Sequence, residues 1–188
     1  MATATADHVE APWLSEETID EIEKENVGNY VNLSKLEADK EHRFRFFGTG
    51  ITGWETWTTD NKPIRFRLKP TNDELPSNTK LVDGAPQLKR FLAGIVWDAQ
   101  QETFRIMQIT QKSVMGRIFE CSKDSDYGDP TKYDIKITRT GSGKETEYKV
   151  MPSPPSAPNK KLVAAFAELT CDLSAMFEGA DPFASPST

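Results

Sequence analysis

Two tryptophans and four cations crowd into the eighteen residues "GWETWTTDNKPIRFRLKP", Gly53 to Pro70. The chemistry open to Trp54, Trp57, Lys62, Arg65, Arg67 and Lys69 is noncovalent. Ammonium and guanidinium groups neutralise phosphates, and flat rings stack on unpaired bases for roughly 1–3 kcal/mol each. Arg43 and Arg45 in "HRFRFFG" extend the cationic set. The combination suits single strands, because a duplex offers its bases only edge-on. A blander account is a plain sheet. Alternating arginines on an exposed strand face also discourage edge pairing, and Trp54 and Trp57, three apart, face opposite sides of a regular strand, so at least one packs.

Covalent chemistry finds no comparable constellation. "TGSGKET" contains G-x-G-K without the wider phosphate-loop spacing, and a hairpin turn explains it. Cys121 and Cys171 lie fifty residues apart with only His8 and His42 as companions, which makes no zinc spacing and leaves two structural thiols. Asp124, Asp126 and Asp129 sit in "KDSDYGDPTK", where turn chemistry already calls for Asp and Gly. The expectation is a protein that is not an enzyme and needs no cofactor or metal.

The elements that must position these residues follow from periodicity. "WLSEETIDEIEKEN" reads as a short helix capped by Ser15, with a thin apolar face of Ile19 and Ile22. "HRFRFFG" then alternates Phe44 and Phe46 against Arg43 and Arg45, and "PIRFRLK" alternates Ile64, Phe66 and Leu68 against Arg65, Arg67 and Lys69. The Asp-Asn pair in "TTDNKP" predicts a turn joining "WETWT" to "PIRFRLK". After the loop "PTNDELPSNTKLVDGAP" come two strands, "LKRFLAGIVWD" and "TFRIMQIT". A helix, "QKSVMGRIFECSKD", follows with Val114, Ile118 and Cys121 on one face. "YDIKITRTGSGKETEYKVMP" is a hairpin that turns Tyr133, Ile135 and Ile137 to one side. A Pro/Ser linker spans 153–159. A last amphipathic helix at 160–178 carries a stripe of Leu162, Phe166, Leu169, Leu173 and Met176, and a flexible tail occupies 179–188.

That order, strand-strand-strand-helix-strand-strand with an early hairpin inserted, is the order of an oligonucleotide-binding (OB-fold) five-stranded barrel, and other small mixed β barrels fit the bare order too. The expected class is mainly β with flanking helices, the OB-fold domain covering 29–152 behind an acidic N-terminal arm at 1–28. Charge is uneven along the chain. The net of −6 divides into −8 over residues 1–41, +4 over 42–69, zero over 70–150 and −2 over 151–188. A low overall charge balance therefore leaves room for a nucleic-acid partner. No run approaches a membrane span and the start has no apolar leader, so a cytoplasmic protein with no membrane partner is expected.

Three segments, "GWETWTTDNKPIRFRLKP", "FLAGIVWDAQQETFRIMQITQKS" and "YDIKITRTGSGKETEYKV", resemble blocks of phage-encoded single-stranded DNA-binding proteins, over about Tyr30 to Pro152. The resemblance implies a sequence-independent coat on single-stranded DNA during phage replication and recombination, in the host cytoplasm. Phosphate contacts are then expected from Arg43, Arg45, Lys62, Arg65, Arg67 and Lys69, with Arg105, Lys136, Arg139 and Lys144 in second rank. Trp54, Trp57, Tyr127 and Tyr133 are the candidate stacking rings, although alternation turns Tyr133 inward. "MFEGADPFAS" resembles the acidic, aromatic-tipped tail by which such proteins recruit replication or recombination enzymes, through Glu178, Asp181 and Phe183. It has few acids and runs on into "SPST"; the acidic head is a second candidate for competing with DNA. Two other readings remain open. One is an interaction or homo-oligomerisation module using helix 160–178, and the other is a metal-dependent nuclease using Asp124, Asp126 and Asp129.

Overall fold

The structure is a computed structural model and describes residues 28–184. The helix expected at 15–26, and with it nearly all of the acidic arm, lies outside the described residues. Eleven elements matter here: β1 (Tyr30–Val31), β2 (Glu41–Trp57), β3 (Pro63–Phe66), β4 (Leu81–Val82), β5 (Ala85–Pro86), β6 (Lys89–Asp98), β7 (Thr103–Ile109), α1 (Lys112–Lys123), β8 (Asp134–Thr140), β9 (Glu147–Pro152) and α2 (Lys160–Glu168). One sheet runs in the order β1-β7-β6-β2-β8-β9 with β3 attached to β2. It is mainly antiparallel and curls into a half-barrel. Among the described residues no helix is long and apolar enough to cross a membrane.

The seventeen-residue β2 organises the curl. Its first half pairs with β8, Phe44 opposite Ile135, and its second half with β3, Trp54 opposite Phe66, while β6 accompanies both halves. The register against β6 slips between Phe47 and Ile51, where Gly48 adopts a φ of +65°. A bulge of this sort bends a strand and raises its twist; just before it, ordinary strand alternation buries Phe46 and Phe47 on opposite faces.

Both faces of the sheet are covered, which is why "FLAGIVW" is almost continuously apolar. On one face Phe44, Phe46, Val96, Met107, Ile135 and Ile137 meet Val114, Ile118 and Cys121 of α1. The helix thus buries the stripe that periodicity assigned to it. On the other face Phe91, Ala93, Ile95 and Ile106 lie beneath Leu173 and Met176 of the C-terminal segment.

That segment is not the single helix expected over 160–178. α2 is capped by the Asn159 side chain, which accepts from the Lys161 N–H at 2.8 Å, and it ends at Glu168. After a short extended stretch, a 3-10 helix spans Leu173–Glu178, with Asp172 accepting from the Ser174 N–H at 2.9 Å. Thr170, Cys171 and Asp172 have poor helix propensity, and Asp172 gains more as a cap than in a helix interior. The break lets Phe166 reach Phe47 (5.2 Å between ring centroids) while Leu173 and Met176 drop onto Phe91 and Ile106. The Pro/Ser linker is pinned as well. The Ser153 N–H donates to Asp134 O at 2.8 Å and the Ser156 N–H to Lys132 O at 2.9 Å.

The alternation read from the strands needs two corrections. Arg45 is buried at 5% exposure, because residues 131–134 and the linker close over its side of β2. In "PIRFRLK" regular pairing stops at Phe66, so Leu68 is 83% exposed while the Arg65 side chain is only 12% exposed. An inserted hairpin with one flank beyond the sheet has no core to receive Leu68.

Candidate nucleic-acid interface

The β2–β3 hairpin forms as its sequence suggests. Glu55 stands opposite Arg65 and Trp57 opposite Pro63, and the turn closes with the Thr58 N–H on Lys62 O at 2.9 Å and Asn61 at a φ of +59°. Asn tolerates that left-handed conformation better than most residues. Trp54 also stands opposite Arg90 on β6, half-buried, with Lys69 Nζ 5.2 Å and the Arg90 guanidinium carbon 5.8 Å from its ring centroid. Trp57, three residues on, is 42% exposed at the hairpin's end. Lys62, Arg67 and Lys69 are exposed, and Arg67 lies 4.4 Å above the Phe177 ring.

Beside Trp54 opens a cleft of about 890 Å³, lined by residues 86–90, Thr110, Gln111, Lys112 and Met115. A smaller one of about 270 Å³ at Trp57 includes Lys80 and shares Gln87 and Lys89 with the first. On the other side, Arg90 and Met115 lead into a cleft of about 600 Å³ between β6 and α1. The three clefts adjoin one another through these shared residues; Lys80, Lys89, Arg90 and Lys112 line them, and Lys69 stands beside Trp54. Of these only Lys69 was singled out from the sequence. Lys80 lies in a loop without periodicity to mark it, and Lys89 and Arg90 open a strand that is otherwise an apolar run.

Several candidates are committed elsewhere. Arg45 donates to Thr131 O (3.0 Å), Ser156 O (2.5 Å) and Asp134 Oδ1 (3.3 Å), which ties β2, the linker and β8 together. Arg43 remains exposed, 3.5 Å from Asp134 Oδ2. Arg65 pairs with buried Glu55 at 3.1 Å and donates to Gln108 Oε1 at 2.7 Å, with Gln108 Nε2 donating in turn to Glu55. Arg105 pairs with Asp98 at 2.9 Å and donates to Gly28 O and Tyr30 O, so it holds β1 against the sheet. Arg139 donates to Leu36 O at 2.7 Å and Gly141 O at 3.1 Å, and Lys136 sits 3.2 Å from Glu41. Lys144 is exposed in the β8–β9 turn, away from the groove's lining. The basic stripe expected on the strand faces is therefore split, with Arg45 and Arg65 turned into interior braces.

The tyrosines pack. Tyr133 is fully buried and meets Tyr127 edge-on at 5.5 Å, and burial pushes its phenol up to about 12. Tyr127 is half-buried against the same core. The loop carboxylates serve turns. Asp124 accepts from the Asp126 N–H at 2.8 Å, and Asp129 accepts from the Thr131 N–H at 2.9 Å and its hydroxyl, bonds that hold the Asp129 carboxyl below its usual range. Among the described residues no group of three or more His, Cys, Asp or Glu side chains is arranged to hold a metal ion. At the tail, Glu178 and Asp181 are exposed, whereas Phe183 packs against the Leu173 and Met176 cluster and the Asp172 N–H donates to Pro182 O at 2.8 Å. The part of the expected flexible tail that the structure describes, residues 179–184, folds back on the 3-10 helix.

No protein-family model, curated protein or solved structure matches this chain.

Proposed function

We propose that this protein binds single-stranded DNA without reading its sequence, as a non-enzymatic coat during phage replication and recombination in the host cytoplasm. The observation that carries the reading is Trp54: a half-buried ring with Lys69 and Arg90 close to it, lining a cleft that also carries Lys89 and Lys112. Cations spaced along a groove follow a phosphate backbone, and a ring at its floor stacks on a base whatever that base is. The phage context rests on the three resembling segments.

An oligonucleotide-binding barrel is the finer description of the half-barrel. It is supported by β2 pairing with both β6 and β8, and by α1 falling between the third and fourth strands of the core. The second and third strands carry ligands in such folds. Here one face of β6 and β7 lies under Leu173 and Met176 and the other packs on α1, so the reading places DNA in the clefts beside Trp54 and the inserted hairpin. Recruitment of replication or recombination proteins would fall to Glu178 and Asp181, the exposed part of the tail. The interaction-module alternative is weakened by Phe166, which α2 spends on Phe47 and Phe104 of its own chain.

The test is intrinsic fluorescence during titration with a mixed-sequence single-stranded oligonucleotide and with its duplex, at two salt concentrations. Quenching by the single strand alone, weakened by salt and lost in Trp54→Phe, is the expected result. An unchanged signal, with unchanged anisotropy of labelled DNA, would refute the proposal.

A further inference from the structure

The cleft of about 600 Å³ between β6 and α1 is unlike the rest of the groove. Its floor is Leu92, Met115 and Ile118, and its wall is the ring of Phe119, which is 59% exposed. The fold does not need that ring. α1 already buries Val114, Ile118 and Cys121 at helical spacing, and Phe119 sits one step off that face, four residues after Met115. A single exposed phenylalanine is ordinary on a surface. This one borders a concave apolar cleft and has a cation over it, Lys123 Nζ at 4.2 Å from the ring centroid.

Resting on the proposed function, we infer that this cleft is a second nucleobase subsite, with Phe119 as its stacking ring. Three observations converge on that occupant. The cleft adjoins the Trp54 cleft, with Arg90 and Met115 lining both, so a strand lying beside Trp54 has it as its next neighbour. Its floor is apolar, Arg90 lines it and Lys123 stands over its Phe119 wall, which matches a ligand with flat rings on an anionic backbone. The acids nearby also set its limit. Glu120 is paired with Arg117 at 3.2 Å, while Asp129, held ionised by Thr131, lines the next cleft beyond Pro130 and repels a phosphate there. The bound strand therefore runs from Trp57 past Trp54 to Phe119 and stops short of Asp129.

The experiment measures anisotropy of labelled oligothymidylates of about 6 and about 16 nucleotides, with the full chain and with Phe119→Ala, Phe119→Leu and Trp54→Ala. The long oligomer is expected to lose about tenfold in affinity with either Phe119 variant, since Leu keeps the apolar bulk but loses the ring. The short one, satisfied at the tryptophans, is expected to lose affinity only with Trp54→Ala. Thermal midpoints of the Phe119 variants are expected at the wild-type value, which separates a lost contact from a damaged fold. If the Phe119 variants bind both oligomers like wild type while Trp54→Ala weakens them, the subsite is refuted and the proposed function stands. If the unaltered protein binds neither, both fail.

Discussion

At the scale of single residues, the same side chain type does opposite work depending on what closes over it. Arg45 and Lys69 both come from basic alternating strands, yet Arg45 bonds three groups in the interior and Lys69 hangs over an indole at the surface. Arg45→Met should cost about 2–4 kcal/mol, because two carbonyls and a carboxylate lose their donor, and urea unfolding would read it. Lys69→Ala should leave unfolding unchanged and lower the slope of log affinity against log salt by about 0.7 for single strands. Tyr133 and Cys171 make a pH prediction. Burial raises the phenol to about 12 and the thiol to about 11, so each stabilises the fold fully below its unfolded value. That stability drains as pH rises through the folded values. Unfolding measured from pH 8 to pH 12 should show a loss that shrinks in Tyr133→Phe.

At the scale of elements, the β2–β3 hairpin depends on a place where no side chain fits. A Cβ on Gly53 would stand 2.5 Å from Phe66 O, 2.8 Å from the Phe177 ring and 2.9 Å from the Phe91 ring. Gly53→Ala should therefore destabilise by about 1–3 kcal/mol and weaken the proposed DNA binding as well, since the displaced strand carries Trp54. Parallel urea and anisotropy measurements would check both. Periodicity located this hairpin, α1 and the β8–β9 pair, because each depends on neighbours in sequence. It misread α2 as one long helix, since a continuous apolar stripe does not reveal that Asp172 will cap a second turn instead of extending the first.

At the scale of the molecule, the C-terminal segment is part of the core. Phe91 and Ile106 are fully buried beneath Leu173 and Met176, so removing residues 160–188 would bare an apolar sheet face. The shortened chain should bind a hydrophobic dye and self-associate, seen by light scattering, while the full chain does neither. The groove lies on the opposite side, between the inserted hairpin and α1. It draws its residues from β2, β6, the 70–88 loop and α1, regions far apart in sequence.

The run from β6 through α1 to β9, the Trp54 hairpin, the buried face of α1 and the inward turn of Tyr133 were legible from sequence, because each follows from local period and turn chemistry. Which cations remain free was not. Arg45, Arg65, Arg105 and Arg139 are indistinguishable from Lys69 or Arg90 until the linker, Glu55, Asp98 and Leu36 arrive beside them from distant parts of the chain. Tertiary structure alone decides that, because a charge is spent or available according to which acceptors surround it, and sheet closure and chain return bring those acceptors.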